Sequence, residues 1–389
     1  MKLIGISSYP RRMKKLVLAL TLVCLLGPAS ARAQNAYITN QFSNTVSVID
    51  TATDTVIATI PVGLTPFGVA VSPDGSKVYI TNQNSNTVSV IDTAANMVIV
   101  TIPVGLGPVG TAVNPDGSKV YVTHEFANAV SVIDTATNTV SATIHVPVPP
   151  FFPSPLPFGV AASPDGSKVY VADNGAGTVS VIDTATNTIS ATIPVGPGSF
   201  GVAASPDGSK VYVANGFFPN TVSVIDAAAN TVSATIPVDI SPFGVAVSPD
   251  GSKVYVTNAF SNTVSVIDTA TNTVSATIPV GITPIGVAVK PDGSKVYVAN
   301  VSASTVSVID TATNTVITAI RVGSQPVAFG VFIQPPAPRF AGTPGSGNCQ
   351  GTSVSALATK FGGLDAAAAA LRFSNVKALQ DAIQAFCAG

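Results

Sequence analysis

The chain has 389 residues, of which 46% are hydrophobic and only 10% charged, and its mean hydropathy is +0.48. A membrane-spanning helix needs about 20 consecutive apolar residues, and the one candidate run, LVLALTLVCLL at 16–26, has 11, which excludes a bundle of spanning helices. The lysines are dispersed and form no basic patch, which weighs against a duplex-binding face and leaves nucleic acid as a third, weaker reading.

Taken from the N-terminus, residues 1–33 read as a signal peptide. Arg11, Arg12, Lys14 and Lys15 precede the short apolar run, and Ala31-Arg32-Ala33 follows it, so cleavage is expected after Ala33 by a Sec-type route. Met13 offers a second, more compact start. The Arg11-Arg12 pair hints at twin-arginine export, but its flanks fit poorly. Cys24 follows Val23 rather than the small residue of a lipoprotein box and belongs to the apolar run. Six basic residues leave with the leader, so 12 basic residues remain against 19 acidic ones and the charge falls to near −7. The expected location is periplasmic or secreted, with no transmembrane segment after cleavage.

From residue 36 to about 335 the chain is one repeated phrase. SVID recurs with its aspartate at Asp50, Asp92, Asp134, Asp183, Asp226, Asp268 and Asp310, at spacings of 42, 42, 49, 43, 42 and 42. PDGSK recurs six times. One unit, 67–102, holds four β-branched runs: GVAVS, KVYIT, TVSVID and MVIVTI. Pro-Asp-Gly suits the tight turn between the first and second, and the SVID aspartate suits the turn between the third and fourth. A calcium role for those aspartates lacks a DxDxDG-type loop. Four antiparallel strands in some 42 residues make one propeller blade. Neighbouring blades bury both faces of each sheet, which explains the hydropathy without a membrane. The chain enters at AYITN (36–40), a second strand without its first, and leaves at FGVFIQP (329–335), a first strand without its second. Joining them closes a seven-bladed ring over 34–335, an all-β fold of four-stranded blades.

VYVTN, TVSVID, TATNTV and FGVAVSPDGSK resemble the YVTN-type (YncE-like) β-propeller repeat family over about 300 residues. The resemblance implies a seven-bladed propeller, usually exported in bacteria, with lactonase-like propellers among its relatives. It fixes no function, because these are fold motifs.

Strand order sorts the loops onto two faces. The SPDGSK and DTATNT loops share one, which is nearly identical in every blade. The other carries the second-to-third and fourth-to-first loops and varies, reading NQFSN, NQNSN, HEFAN, DNGAG, NGFFPN, NAFSN and NVSAS. This variable face is the expected binding face. Its candidate contacts are Phe42, Phe126, Phe151, Phe152, Phe217, Phe218 and Phe260, for a protein, peptide or glycan; the alternative is that each packs beneath its own loop. Phe67, Phe158, Phe200, Phe243 and Phe329 begin first strands and are expected in the core.

HEFAN is the one loop with histidine and glutamate. His124 stands where the other blades have Asn or Asp, short polar residues suited to bonding the turn backbone. His145 ends the fourth strand of the same blade. His124 is read as drift at an exposed loop. The alternative is a metal or catalytic site from His124, Glu125 and His145, across two strand spacings of about 10 Å. No GxSxG, HExxH or CxxCH occurs. The first reading is therefore a monomeric, non-enzymatic binding scaffold without cofactor; the alternative is a lactonase-like hydrolase or lyase.

Residues 336–348 are a Pro/Gly-rich linker. In 349–389, Val376, Leu379, Ile383 and Phe386 follow a helical stripe. Cys349 and Cys387 bracket this tail and should pair in an oxidising compartment.

Overall fold

The computed structural model describes residues 34–148, 154–336, 349, 350, 353, 354, 357, 364, 367, 368, 371, 373 and 375–388. The leader and the Phe151–Phe152 pair lie outside them.

Seven sheets follow one another along the chain. The second is representative: β4 (Pro66–Val71), β5 (Lys77–Asn82), β6 (Thr87–Asp92) and β7 (Met97–Pro103) pair antiparallel in sequence order. The third blade repeats it with β8 (Pro108–Val113), β9 (Lys119–His124), β10 (Ala129–Asp134) and β11 (Thr139–His145). Four more cover 157–194, 199–237, 242–279 and 284–321. The middle strands of each blade are buried on both faces, and the fourth alternates between exposed and covered. That pattern follows from stacking: the hydrophobic clusters between sheets draw on neighbouring blades. Tyr79, Val88, Val90 and Ile102 of the second blade, for example, pack on Val120, Val122 and Ile133 of the third.

The first blade contains β1 (Asn35–Asn40), β2 (Thr45–Asp50) and β3 (Thr55–Pro61). Its innermost position is filled from the other end of the propeller. Ala36 bridges Ile333 and Asn40 bridges Pro326 in antiparallel sense, and Tyr37 N–H donates to the Phe332 carbonyl. The terminal strands therefore close the ring as the repeat phase requires, with the closing segment starting at Pro326. A seam-specific pair reinforces it. Asp54 stands where the other repeats have Asn, and it bonds Lys295 Nζ at 2.6 Å and Tyr297 Oη at 2.6 Å across the junction with the seventh blade.

The turns form as their residues dictate. Asp134 Oδ1 accepts from Ala136 N at 3.1 Å and Thr137 N at 2.8 Å. Gly75 of the Pro-Asp-Gly turn has φ +70°, a conformation that costs glycine nothing. In the tail, α1 (Val376–Ala388) buries Leu379 and Ile383. Cys349 and Cys387 form a disulfide with Cα atoms 5.6 Å apart. No helix among the described residues is long and apolar enough to cross a membrane.

Candidate functional site: the axis and the variable loop face

The first strands line the axis. Each contributes a glycine against the next blade, among them Gly68, Gly110, Gly159, Gly201 and Gly244. A Cβ on Gly201 would overlap the Phe243 carbonyl oxygen, and one on Gly110 the Phe158 carbonyl oxygen. Threonine hydroxyls tie the same junctions: Thr123 Oγ1 accepts from Gly110 N at 2.9 Å and donates to the Phe158 carbonyl at 2.6 Å. The strands approach so closely that the described axial cavity is about 30 Å³, walled by Gly201, Val202, Gly244, Val245 and Phe329 among others.

At the variable face the axis is capped by aromatic rings. Phe158 meets Phe67, Phe200, Phe243 and Phe329 edge-on at centroid distances of 5.4–5.5 Å, and Phe200 stacks on Phe243 at 4.3 Å. Phe158 and Phe329 are buried and the other three half-buried. The residues expected in the core thus form an apolar plug. Among the described residues no three His, Cys, Asp or Glu side chains gather as a cation site.

Around the plug stand the loop-tip phenylalanines. Phe42 is 71% exposed, Phe126 64%, Phe217 54%, Phe218 87% and Phe260 76%, so these five do not pack beneath their loops. Four further side chains join them that sequence reasoning missed: Leu64, Leu106, Ile240 and Ile282, on the fourth-to-first loops, each more than half exposed. The signal was present as a large aliphatic residue inside a turn phrase such as VGLTP or VDISP. Backbone bonds hold the two loop types together: Phe260 N donates to the Ile240 carbonyl and Phe42 N to the Ser324 carbonyl, both at 3.3 Å.

The structure corrects the reading of His124. It is fully buried, not exposed, and the side-chain bonds of this row run chiefly to the neighbouring strand. Asn82 Nδ2 donates to Thr87 Oγ1 at 3.0 Å and Ser89 Oγ at 2.9 Å. His124 Nε2 makes the equivalent contact with Ser131 Oγ at 2.7 Å. The alternating pleat explains the difference: the last residue of the second strand turns inward, beneath the loop from the preceding blade. A glycine lies over it. A Cβ on Gly63 would come within 2.7 Å of Asn82 Cγ, and one on Gly105 within 3.1 Å of His124 Cγ. The larger imidazole fits because its strand partner, threonine in the other six blades, is Ala129. Asn→His and Thr→Ala are thus a compensated exchange in one row of the sheet.

That row ends on exposed His145, which pairs with Ala129 from the other side. Both histidines border a groove of about 320 Å³ together with Pro103, Gly105, Ala129 and Ser131. Glu125 is not part of it; its Oε2 accepts from Gln83 Nε2 at 3.1 Å. Burial lowers the His124 pKa to about 4, with the Gly105 backbone opposing the shift. The serine contact recurs in every blade, from Ser47 with Asn40 to Ser307 with Asn300, so Ser131–His124 is a structural pair. The position in the next blade is Asp173, bonded to Thr178 and Ser180, with Oδ1 buried and unpaired. Burial raises its pKa to about 7, against those two hydrogen bonds.

Four-stranded blades, closure by the terminal strands and a filled axis define a seven-bladed β-propeller. The sequence profile of the YNCE-like beta-propeller family matches residues 26–113, and that of the 7-bladed beta-propeller lactonases matches 154–316. Each match covers less than half of the chain; with the seven-bladed ring, they support its similarity to the YncE-like propellers. A PE-PGRS family protein of Mycobacterium tuberculosis, PE_PGRS18, is 64% identical over 39 residues, 10% of this chain and 8% of that protein. The fold is similar to Kuenenia stuttgartiensis hydrazine synthase, at TM-score 0.65 and 27% identity over 71% of this chain and 92% of that one. It is also similar to a putative 6-phosphogluconolactonase from Bacteroides uniformis, at TM-score 0.65 and 18% identity over 78% and 99%.

Proposed function

We propose that the chain is an exported, non-enzymatic propeller scaffold that docks an apolar partner surface through its variable loop face. The observation that carries this reading is the chemistry of the two faces. The repeated face holds the seven SVID aspartates, the six PDGSK aspartates and Asp54, against seven lysines, a net charge of −7. On the variable face the charged side chains among the described residues are Glu125, Asp239, Arg321 and the buried Asp173, beside nine exposed phenylalanine, leucine and isoleucine side chains. Covering apolar area of that kind is the main favourable term in association, and few charges there must be desolvated. A glycan site would need polar groups arrayed to meet hydroxyls; these tips are plainly hydrocarbon. Export rests on the leader pattern in 1–33 and on the Cys349–Cys387 disulfide.

The test is site-specific photo-crosslinking in cells that make the protein. A crosslinker at Phe260 is expected to give adducts, and one at Thr137 on the opposite face is not. Adducts from Thr137 alone would overturn the reading.

The lactonase profile match over 154–316 supports a second reading, a hydrolase or lyase acting over the axis. The polar groups for it are not found among the described residues at that mouth, where the plug is aromatic. A lactone that raised the melting temperature, equivalent to about 2.7 kcal/mol at 100 times its dissociation constant, would favour it.

A further inference from the structure

The nine exposed apolar side chains are not one patch. They are distributed around the ring on two sets of equivalent loops, the second-to-third and the fourth-to-first: Phe42 at the junction of the seventh and first blades, Leu64 at the next, and Leu106 with Phe126 at the one after. Phe217 and Phe218, then Ile240 with Phe260, then Ile282 follow. Six of the seven junctions carry at least one such tip. The seventh holds the loop that includes residues 149–153, outside the described structure.

Equivalent positions in a ring of near-identical blades lie at equal height along its axis. Within each loop set the tips therefore lie in a plane across the axis, around the aromatic plug. We propose that this face is an interfacial lipid-binding surface, whose partner is an electrically neutral, zwitterionic bilayer. The inference rests on the docking-face reading above and names its partner.

Three observations favour lipid over protein. A protein interface concentrates its apolar contacts at the centre and surrounds them with a polar rim; here a hydrocarbon tip recurs at six of the seven junctions around the ring. The tips project, at more than half exposure each, rather than lining a groove, and a deformable acyl boundary accepts isolated projections that a rigid protein would have to match with pockets. The charges also point to neutral headgroups. Interfacial segments that select anionic lipid carry lysine and arginine beside their apolar side chains, whereas Arg321 is the one such cation on this face among the described residues. The net −7 of the opposite face turns that side away from a membrane.

The absence of tryptophan in the sequence makes a clean test. Single-tryptophan versions of the chain from residue 34, Phe42→Trp, Phe126→Trp, Phe260→Trp and, on the opposite face, Thr137→Trp, are mixed with phosphatidylcholine vesicles. The first three should shift their emission to the blue and be quenched by brominated phosphatidylcholine; Thr137→Trp should do neither. Replacing Phe42, Phe126, Phe217, Phe218 and Phe260 together with serine should lower vesicle partitioning at least tenfold at an unchanged melting curve. If that variant does not fold as the parent does, the tryptophan series carries the test alone. No shift at any of the three tips, or quenching at Thr137 as well, overturns the lipid inference. If vesicles give no shift while crosslinks from Phe260 capture protein, the docking face stands and lipid is not its partner. If Phe260 captures nothing and vesicles give no shift, both readings fall.

Discussion

The two faces of the ring are built from loops on the same strands, yet they use their side chains in opposite ways. On the repeated face, polar groups bond their own turn: Ser76 Oγ donates to Asp74 and Thr137 N to Asp134. These side chains maintain the fold, which explains why the phrase recurs almost unchanged along the chain. On the variable face the buried polar row, from Asn40 to Asn300, ties the second strand to the third beneath the loops, and the tips above it stand more than half exposed. Variation is tolerated where structure is secured by something underneath.

The contrast can be broken or sharpened by substitutions of graded effect. The largest should come from the axis, which neither face can compensate. Gly201→Ala places a methyl against the Phe243 carbonyl and should cost more than about 3 kcal/mol, or prevent folding, as measured by denaturant unfolding. A second tier lies in the buried row. Asp173 has a folded pKa raised to about 7 from 3.8, so the stability linked to its proton is present below pH 3.8 and is lost as pH rises through 7. His124 is the reverse: with its pKa lowered to about 4 from 6.5, stability present above pH 6.5 is lost as pH falls through 4. A tenfold change in an ionisation equilibrium is worth about 1.4 kcal/mol, so Asp173→Asn should stabilise by roughly a few kcal/mol at pH 8 and by little at pH 3.5. His124→Asn should compare better with the parent at pH 4.5 than at pH 8. Melting curves across pH check both; a flat difference for either would show that the group does not titrate as its burial requires.

Turn caps come next. Asp134→Ala removes two backbone acceptor contacts and should cost about 1 kcal/mol. Phe260→Ser on the variable face should change stability by less than about 0.5 kcal/mol, although it diminishes docking. A loss at Phe260 as large as that at Asp134 would mean that the tip is structural after all and would remove the distinction between the faces.

Much of this was legible in the chain itself. The SVID spacing specified seven blades, and the phase mismatch between AYITN and FGVFIQP specified closure. The loop phrases separated a uniform face from a varied one. The phenylalanine tips were visible by composition, but their exposure was not, because a loop aromatic can fold back or stand out according to what lies below it. His124 escapes sequence reading for a related reason. Its place at the edge of a variable loop suggests solvent, whereas the strand pleat turns it inward and Gly105 of the preceding blade covers it. The compensating Ala129 lies five residues away, and only the pairing register reveals the two as neighbours.

What the sequence determined alone was everything with a period: strand, turn, blade and ring, because local propensity repeated seven times leaves few other arrangements. The tertiary structure decided what depends on contacts between blades. Glycines at the axis admit neighbouring carbonyls, the aromatic rings meet only once the ring closes, and Asp54 finds Lys295 across a seam 241 residues long. These contacts join residues that are distant in sequence, and the physical reason for them, the exclusion of volume and water between curved neighbouring sheets, exists only after the chain has closed on itself.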